Sequence, residues 1–165
     1  MGKQASPEAN RKEGLGDLPE WDLSDLYPAM DSTEYTSDLE ASSSDARAFE
    51  TKYAGKLESL LDNNPRDLAL AIAEYERIEE RMGRIMSYAS LLYTGDTSNP
   101  VHAKFFGDAQ EQLTGAGSHL LFFPLEINRI EDSKLKDAIR QDASLAYYEP
   151  WLRDQRLGSH TSLMT

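Results

Sequence analysis

The chain contains no cysteine. That excludes disulfides, thiolate metal sites and a cysteine nucleophile together, and it suits a cytoplasmic protein. Histidine is scarce as well: His102, His119 and His160 are the three present, so imidazole-based sites can be checked one by one. Positive charge is thin, with 17 Lys and Arg against 29 Asp and Glu and a net charge of −12. A phosphate backbone is repelled by that balance, and no Lys/Arg cluster is available to dock on an anionic membrane. Neither nucleic acid nor membrane is therefore expected as a partner. Long apolar runs are missing. The longest, Leu120–Leu125, contains Pro124 and falls far short of the roughly 20 residues that cross a bilayer as a helix. No alternating β-branched run or hairpin dipeptide signals a strand, and no repeat of solenoid period occurs.

The opening "MGKQASPEANRKEGLGD" has no apolar centre, so it is not a secretory signal. Met1-Gly2 with Ser6 matches the start of a myristoylation pattern, but that pattern is short and common. The Gly, Pro, Ser and charge content predicts a disordered lead-in over residues 1–17. From residue 18 the composition changes abruptly. "LPEWDLSDLYPAMDSTEY" packs Trp21, Leu23, Leu26, Tyr27, Met30 and Tyr35 into one short segment.

Helical patterns occupy the rest. Asp31 with Glu34 three residues on reads as a capping box. Tyr35, Leu39, Ala46, Phe49 and Tyr53 then form a stripe of period about 3.5, with Ser42 in its one gap. Gly55 weakens the stripe, Leu57, Leu60 and Leu61 extend it, and Asn63-Asn64-Pro65 ends it. The second stripe is stronger: Leu68, Ala71, Tyr75, Ile78, Met82, Ile85, Ala89 and Leu92 alternate three and four apart, widened by Ile72, Met86 and Tyr93. Its opposite face carries Glu74, Glu76, Arg77, Glu80 and Arg84, and Glu80 is placed to pair with Arg84 across one turn. In "TGDTSNP", Gly95 suits a left-handed helix end, and Asn99-Pro100 reads as an N-cap with a first-turn proline. A third helix is expected from Val101 through Phe105, Ala109, Leu113, Ala116 and Leu120 to Phe123. Gly115 and Gly117 would admit a close neighbour there, and Pro124 is expected to kink or break the helix. Asp132 or Ser133 is expected to cap a short helix holding Leu135, Ala138 and Ile139. Tyr147, Tyr148 and Trp151 surround Pro150, and "LGSHTSLMT" shows no usable periodicity. The expected fold is all-α: a long antiparallel helical hairpin, a third kinked helix and short C-terminal helices. The domain spans 18–157, with an irregular tail over 158–165.

Motifs that carry chemistry are absent. Two histidines four apart with a glutamate between them would place two imidazoles and a base on one helix face. The three histidines instead read "HAKFF", "HLLFF" and "HTSLM". Glu-x-x-His, a phosphate loop and G-x-S-x-G are missing too. No catalytic, cofactor-binding or metal residue is therefore expected. His119 reads as a partly buried imidazole bonded to a neighbouring carbonyl or hydroxyl. Glu20, Asp22, Asp25 and Asp31 cluster near Trp21 but lack a glycine-turned calcium loop. Tyr75, Tyr88 and Tyr93 read as core or interface packing before groove lining.

"LPEWDLSDLYPAMDSTEYTSDLE", "YAGKL", "IEERMGRIMSYASLLYTGDTSNP", "FFPLEINRI" and "YYEPWLRDQRL" together resemble the N-terminal region of oligoendopeptidase F-type zinc metallopeptidases, of the thimet-oligopeptidase type. The resemblance covers about residues 18–157. It implies a largely helical protein whose relatives hydrolyse short peptides in a deep channel, with zinc held by H-E-x-x-H and a further glutamate. No position here corresponds to those ligands, so no catalytic residue transfers and zinc is expected only in the full-length family. By this resemblance the chain is an N-terminal piece: a truncated product, a frameshifted frame or a deliberately shortened chain. Its partner would be the missing catalytic domain or an equivalent chain, and the opening segment a strap anchored by Trp21 and Tyr27. The alternative reading is a free-standing helical interaction module, including a homo-dimer built on the 68–93 stripe.

Overall fold

The computed structural model describes residues 22–162, with side chains as far as residue 157. Trp21, Glu20, the 1–17 lead-in and the last three residues lie outside the described residues. All regular structure among the described residues is helical, in agreement with the all-α expectation. A 3-10 turn over Leu23–Asp25 is followed by α1 (Thr33–Tyr53), α2 (Leu57–Asn63), α3 (Pro65–Gly95), α4 (Pro100–Ser118), α5 (Phe122–Arg129), α6 (Asp132–Gln141), α7 (Ala143–Tyr147) and α8 (Glu149–Ser162).

Three helices build the body, and their directions follow from side-chain pairings. On α1, Asp38, Asp45 and Lys52 meet Arg84, Arg81 and Glu74 of α3 in descending order, so the two helices are antiparallel. Met82 lies beside Gly117 while Tyr93 meets Phe106, a descending order that makes α4 antiparallel to α3. Tyr35 meets Phe105 and Glu50 meets His119 at the end of α4, so α4 runs the same way as α1. Two apolar clusters fill this body. One gathers Tyr27, Tyr35, Ile85, Tyr88 and Leu113. The other runs from Ala46 and Phe49 through Leu68 and Ile72 to Phe123, Ile127, Leu145 and Leu152. Met82 packs against both. The 68–93 stripe is thus largely buried inside the chain, with Leu68, Ala71, Ile72 and Ile85 fully enclosed.

Several boundaries differ from the sequence expectation. Ser32, not Asp31, caps α1: its hydroxyl accepts the Tyr35 N–H at 3.2 Å, so Glu34 lies one position too early for a capping box. The stripe through Tyr53 does not continue to Leu61 as one helix. Gly55 adopts φ 76°, the left-handed conformation that glycine reaches without a Cβ clash, and the Glu126 carboxylate of α5 accepts its N–H. The long hairpin arm is therefore two helices, and α2 turns Leu57 and Leu61 inward separately. Gly95, by contrast, is simply the last residue of α3, and Asp96 after it leaves the helix at φ −152°, ψ 85°.

Asn99 caps α4 as expected, accepting from Val101 and His102, with Pro100 in the first turn. Pro124 divides the third helix, but not at its own position. α4 ends at Ser118, after Gly115 and Gly117 have lowered its helix propensity. Three-residue bonds from Leu120 to Gly117 (3.0 Å) and from Phe123 to Leu120 (3.1 Å) then carry the chain into α5. Pro124 sits in the first turn of α5, where its missing N–H leaves no helical bond unmade. Only Gly117 admits a near neighbour: a Cβ there would lie 3.6 Å from the Met82 methyl, whereas Gly115 faces open space.

Glu131, one residue before the expected Asp132 or Ser133, stands at the N-cap of α6, because its carbonyl already accepts the Leu135 N–H at 3.1 Å. The tail expected to be irregular from residue 158 is helical to Ser162. Once α8 is nucleated, each further residue costs little to add. Leu152 is buried, and the Arg156 guanidinium donates to the Ile130 carbonyl at 2.6 Å, tying α8 to the turn after α5.

Ser42, the gap in the first stripe, is fully buried, and its hydroxyl has no hydrogen-bond partner among the described residues. An unmade bond of this kind costs about 1–3 kcal/mol. Ser42→Ala is expected to raise stability by about 1 kcal/mol, read as a higher urea midpoint at unchanged slope. A lower midpoint would mean the hydroxyl has a partner.

Candidate functional site

The opening segment folds back on its own body. Tyr27 is 2% exposed, with its ring edge-on to Tyr35 and Tyr88, both at 5.3 Å. Its hydroxyl donates to Asp38 at 2.6 Å, and Arg84 stands 3.8 Å from the same carboxylate. The strap therefore closes over the end of the α1–α3–α4 body. Glu80 has no ion pair with Arg84 in this arrangement, because Asp38 draws the guanidinium across to α1.

Burial disfavours the tyrosinate form and so pushes several tyrosine hydroxyls up. Tyr35 is pushed up to about 12 by burial first, then by Tyr88 and Asp108. Tyr75 is also pushed up to about 12 by burial, with Glu79 adding to it. Tyr27 is raised by burial and by its bond to Asp38. A raised folded-state value gives stability that is complete below the unfolded value near 10 and is lost as pH climbs toward the folded value. The denaturation midpoint is therefore expected to fall between about pH 10 and 12, by up to about 1.4 kcal/mol per pH unit for each tyrosine. Tyrosinate absorbance of the buried tyrosines should appear together with loss of helicity; ionisation of all eight tyrosines in a fully helical protein near pH 10 would contradict this packing.

The structure places each residue singled out in the sequence. His119 follows α4, and its Nδ1 lies 3.3 Å from the Glu50 carboxylate, a partner on α1 where a carbonyl or hydroxyl was expected. His102 lies in the first turn of α4, with Nδ1 enclosed and unpartnered among the described residues. His160 lies in α8 beyond the described side chains. Tyr88 belongs to the core, Tyr75 stacks on Phe123 at 4.7 Å, and Tyr93 stacks on Phe106 at 5.3 Å. Asp22 accepts the Ser24 N–H and caps the 3-10 turn. No group of three His, Asp or Glu among the described residues is placed to hold a metal ion. Among the described residues, no helix is long and apolar enough to cross a membrane.

Sequence reasoning did not single out the surface between α1 and α3. Asp45, Ala48, Lys52, Glu74, Arg77 and Arg81 border a groove of about 270 Å³ there, floored by Phe49 and Ile78. Arg81 meets Asp45 at 2.6 Å, and Lys52 meets Glu74 at 3.2 Å while lying 4.9 Å from the Tyr53 ring centre. The signal was latent in the seven-residue spacing of Asp38, Asp45 and Lys52, but it acquires meaning only once α3 lies alongside.

No family model matches the chain, and no solved structure matches it significantly. A curated relative, Oligopeptidase PepF of Bacillus subtilis (strain 168), is 31% identical over 98 residues, or 59% of this chain. The match covers 14% of the relative's own length, so most of that protein has no counterpart here. On this likeness, the chain is a distant relative of Oligopeptidase PepF.

Proposed function

We propose that this chain is the helical N-terminal domain of an oligoendopeptidase F-type zinc metallopeptidase. In the whole enzyme it would form one wall of the channel and restrict entry to short, extended peptides. The observation that carries this reading is the 31% identity over 98 residues to a protein named as an oligopeptidase. The all-helical architecture supports it, as does the strap, whose Tyr27 anchor closes the end of the body. Zinc, the activated water and the glutamate base belong on this reading to a catalytic domain or an equivalent chain, acting in the cytoplasm. The chain alone is catalytically incomplete. Purified with added zinc and a quenched peptide of about eight residues, it is expected to cleave nothing and retain no stoichiometric metal. Cleavage abolished by a chelator would overturn the proposal.

A second reading, the free-standing helical module, is favoured by one observation: the strap anchor and the main α3 stripe are covered within the chain itself. Light scattering separates the two. A symmetric dimer at micromolar concentration favours the module; a monomer that associates with a peptidase lacking this region favours the wall.

A further inference from the structure

The ion pairs between α1 and α3 form a ladder with one rung missing. Asp38, Asp45 and Lys52 stand seven residues apart on α1 and pair with Arg84, Arg81 and Glu74. Between the Asp45–Arg81 and Lys52–Glu74 rungs, the facing positions are Ala48 and Arg77, and both line the same groove. Ala48 is exposed and supplies only a methyl group where its neighbours along the ridge supply charges. No carboxylate among the described residues lies within ion-pair distance of Arg77, whose charge acts on the neutral Tyr148 hydroxyl. The notch is therefore a groove bordered by Arg77, flanked on either side by an ion pair and floored by Phe49 and Ile78.

We propose that this notch binds a small monocarboxylate with a short apolar stem. The carboxylate takes the missing rung on Arg77, where a guanidinium can bond both oxygens at once. The stem lies against the Ala48 methyl and Ile78. Asp45 and Glu74 are already neutralised by Arg81 and Lys52, so the local balance at the notch is set by Arg77. The chain's −12 charge opposes any anion at long range, but at 0.15 M salt charges beyond about 8 Å are screened, and the local guanidinium decides. The volume of about 270 Å³ lies just under the range of drug-sized sites and limits the stem to a few carbons.

The probe is isovalerate, with uncharged isovaleramide as its control, followed through the backbone amides of Ala48 and Arg77 and the Arg77 Nε–H by NMR. Isovalerate is expected to shift these signals with a Kd of about 1–10 mM, the affinity of an exposed ion pair with a small apolar contact. Isovaleramide should leave them in place. Arg77→Gln should weaken binding by at least about fivefold. Ala48→Glu should abolish it, because the new carboxylate fills the rung from within. Both positions are accessible from the groove, and unchanged helicity confirms that each variant folds. The proposal is overturned if acid and amide shift the signals alike, if Arg77→Gln binds as the parent does, or if no shift appears about tenfold above that Kd.

Discussion

Phe123→Ala is expected to cost about 3–5 kcal/mol, the largest loss available from one side chain here. Phe123 is 0% exposed, and its ring touches those of Phe49 at 5.2 Å, Tyr75 at 4.7 Å and Trp151 at 6.1 Å. Those three rings come from α1, α3 and α8. Removing Phe123 leaves a cavity where the helical body meets the C-terminal helices, and its neighbours cannot collapse together without pulling α5 from its place. At about 2–4 °C per kcal/mol for a chain of this size, the melting temperature should fall by about 10 °C. Phe123→Leu keeps much of the volume and should cost about 1.5 kcal/mol. Equal costs for the two variants would show that packing at this junction is loose and that Phe123 is not its centre.

The second large effect belongs to the strap. Tyr27→Ala removes a buried ring, two edge-on aromatic contacts and the hydroxyl bond to Asp38, for a combined cost of about 3–4 kcal/mol. Tyr27→Phe isolates the last of these. It leaves the partly exposed Asp38 with Arg84 as its partner, so it should cost about 1 kcal/mol. Hydrogen exchange distinguishes a local role from a global one. If the strap closes the body, Tyr27→Ala should speed exchange first in α1 and α3 near Tyr35 and Tyr88. Uniform acceleration across α5 to α8 would instead make the strap part of a single cooperative unit.

The start of α4 was legible because it is written as Asn followed by Pro, whereas Asn64-Pro65 read only as the end of the stripe before it and also starts α3. Asn64 and Asn99 both accept first-turn N–H groups, and each proline fills a position whose N–H has no helical partner. The buried faces were legible from spacing: Tyr35, Ser42, Ala46, Phe49 and Tyr53 are all buried. Which glycine would turn was not legible, since Gly55 and Gly95 both follow helical stripes. Gly55 turns because Leu57 and Leu61 must reach the core and because Glu126, 71 residues away, accepts its N–H. The Arg84 pairing failed for the same reason. A local Glu80–Arg84 pair is worth only a few tenths of a kcal/mol, which Asp38 on the neighbouring helix readily outweighs. The notch at Arg77 is non-local in the same sense, because it is defined by what α1 lacks opposite a residue of α3.

The central claim is that this helical body serves as the wall of a peptidase whose catalytic residues lie elsewhere. The direct measurement deletes from the Bacillus subtilis Oligopeptidase PepF the segment that this chain matches, adds the chain in trans, and follows cleavage of a quenched peptide. The account predicts association of the two proteins and peptide cleavage above that of the truncated protein alone, with Phe123→Ala restoring less. Two folded proteins that neither associate nor gain cleavage would contradict it.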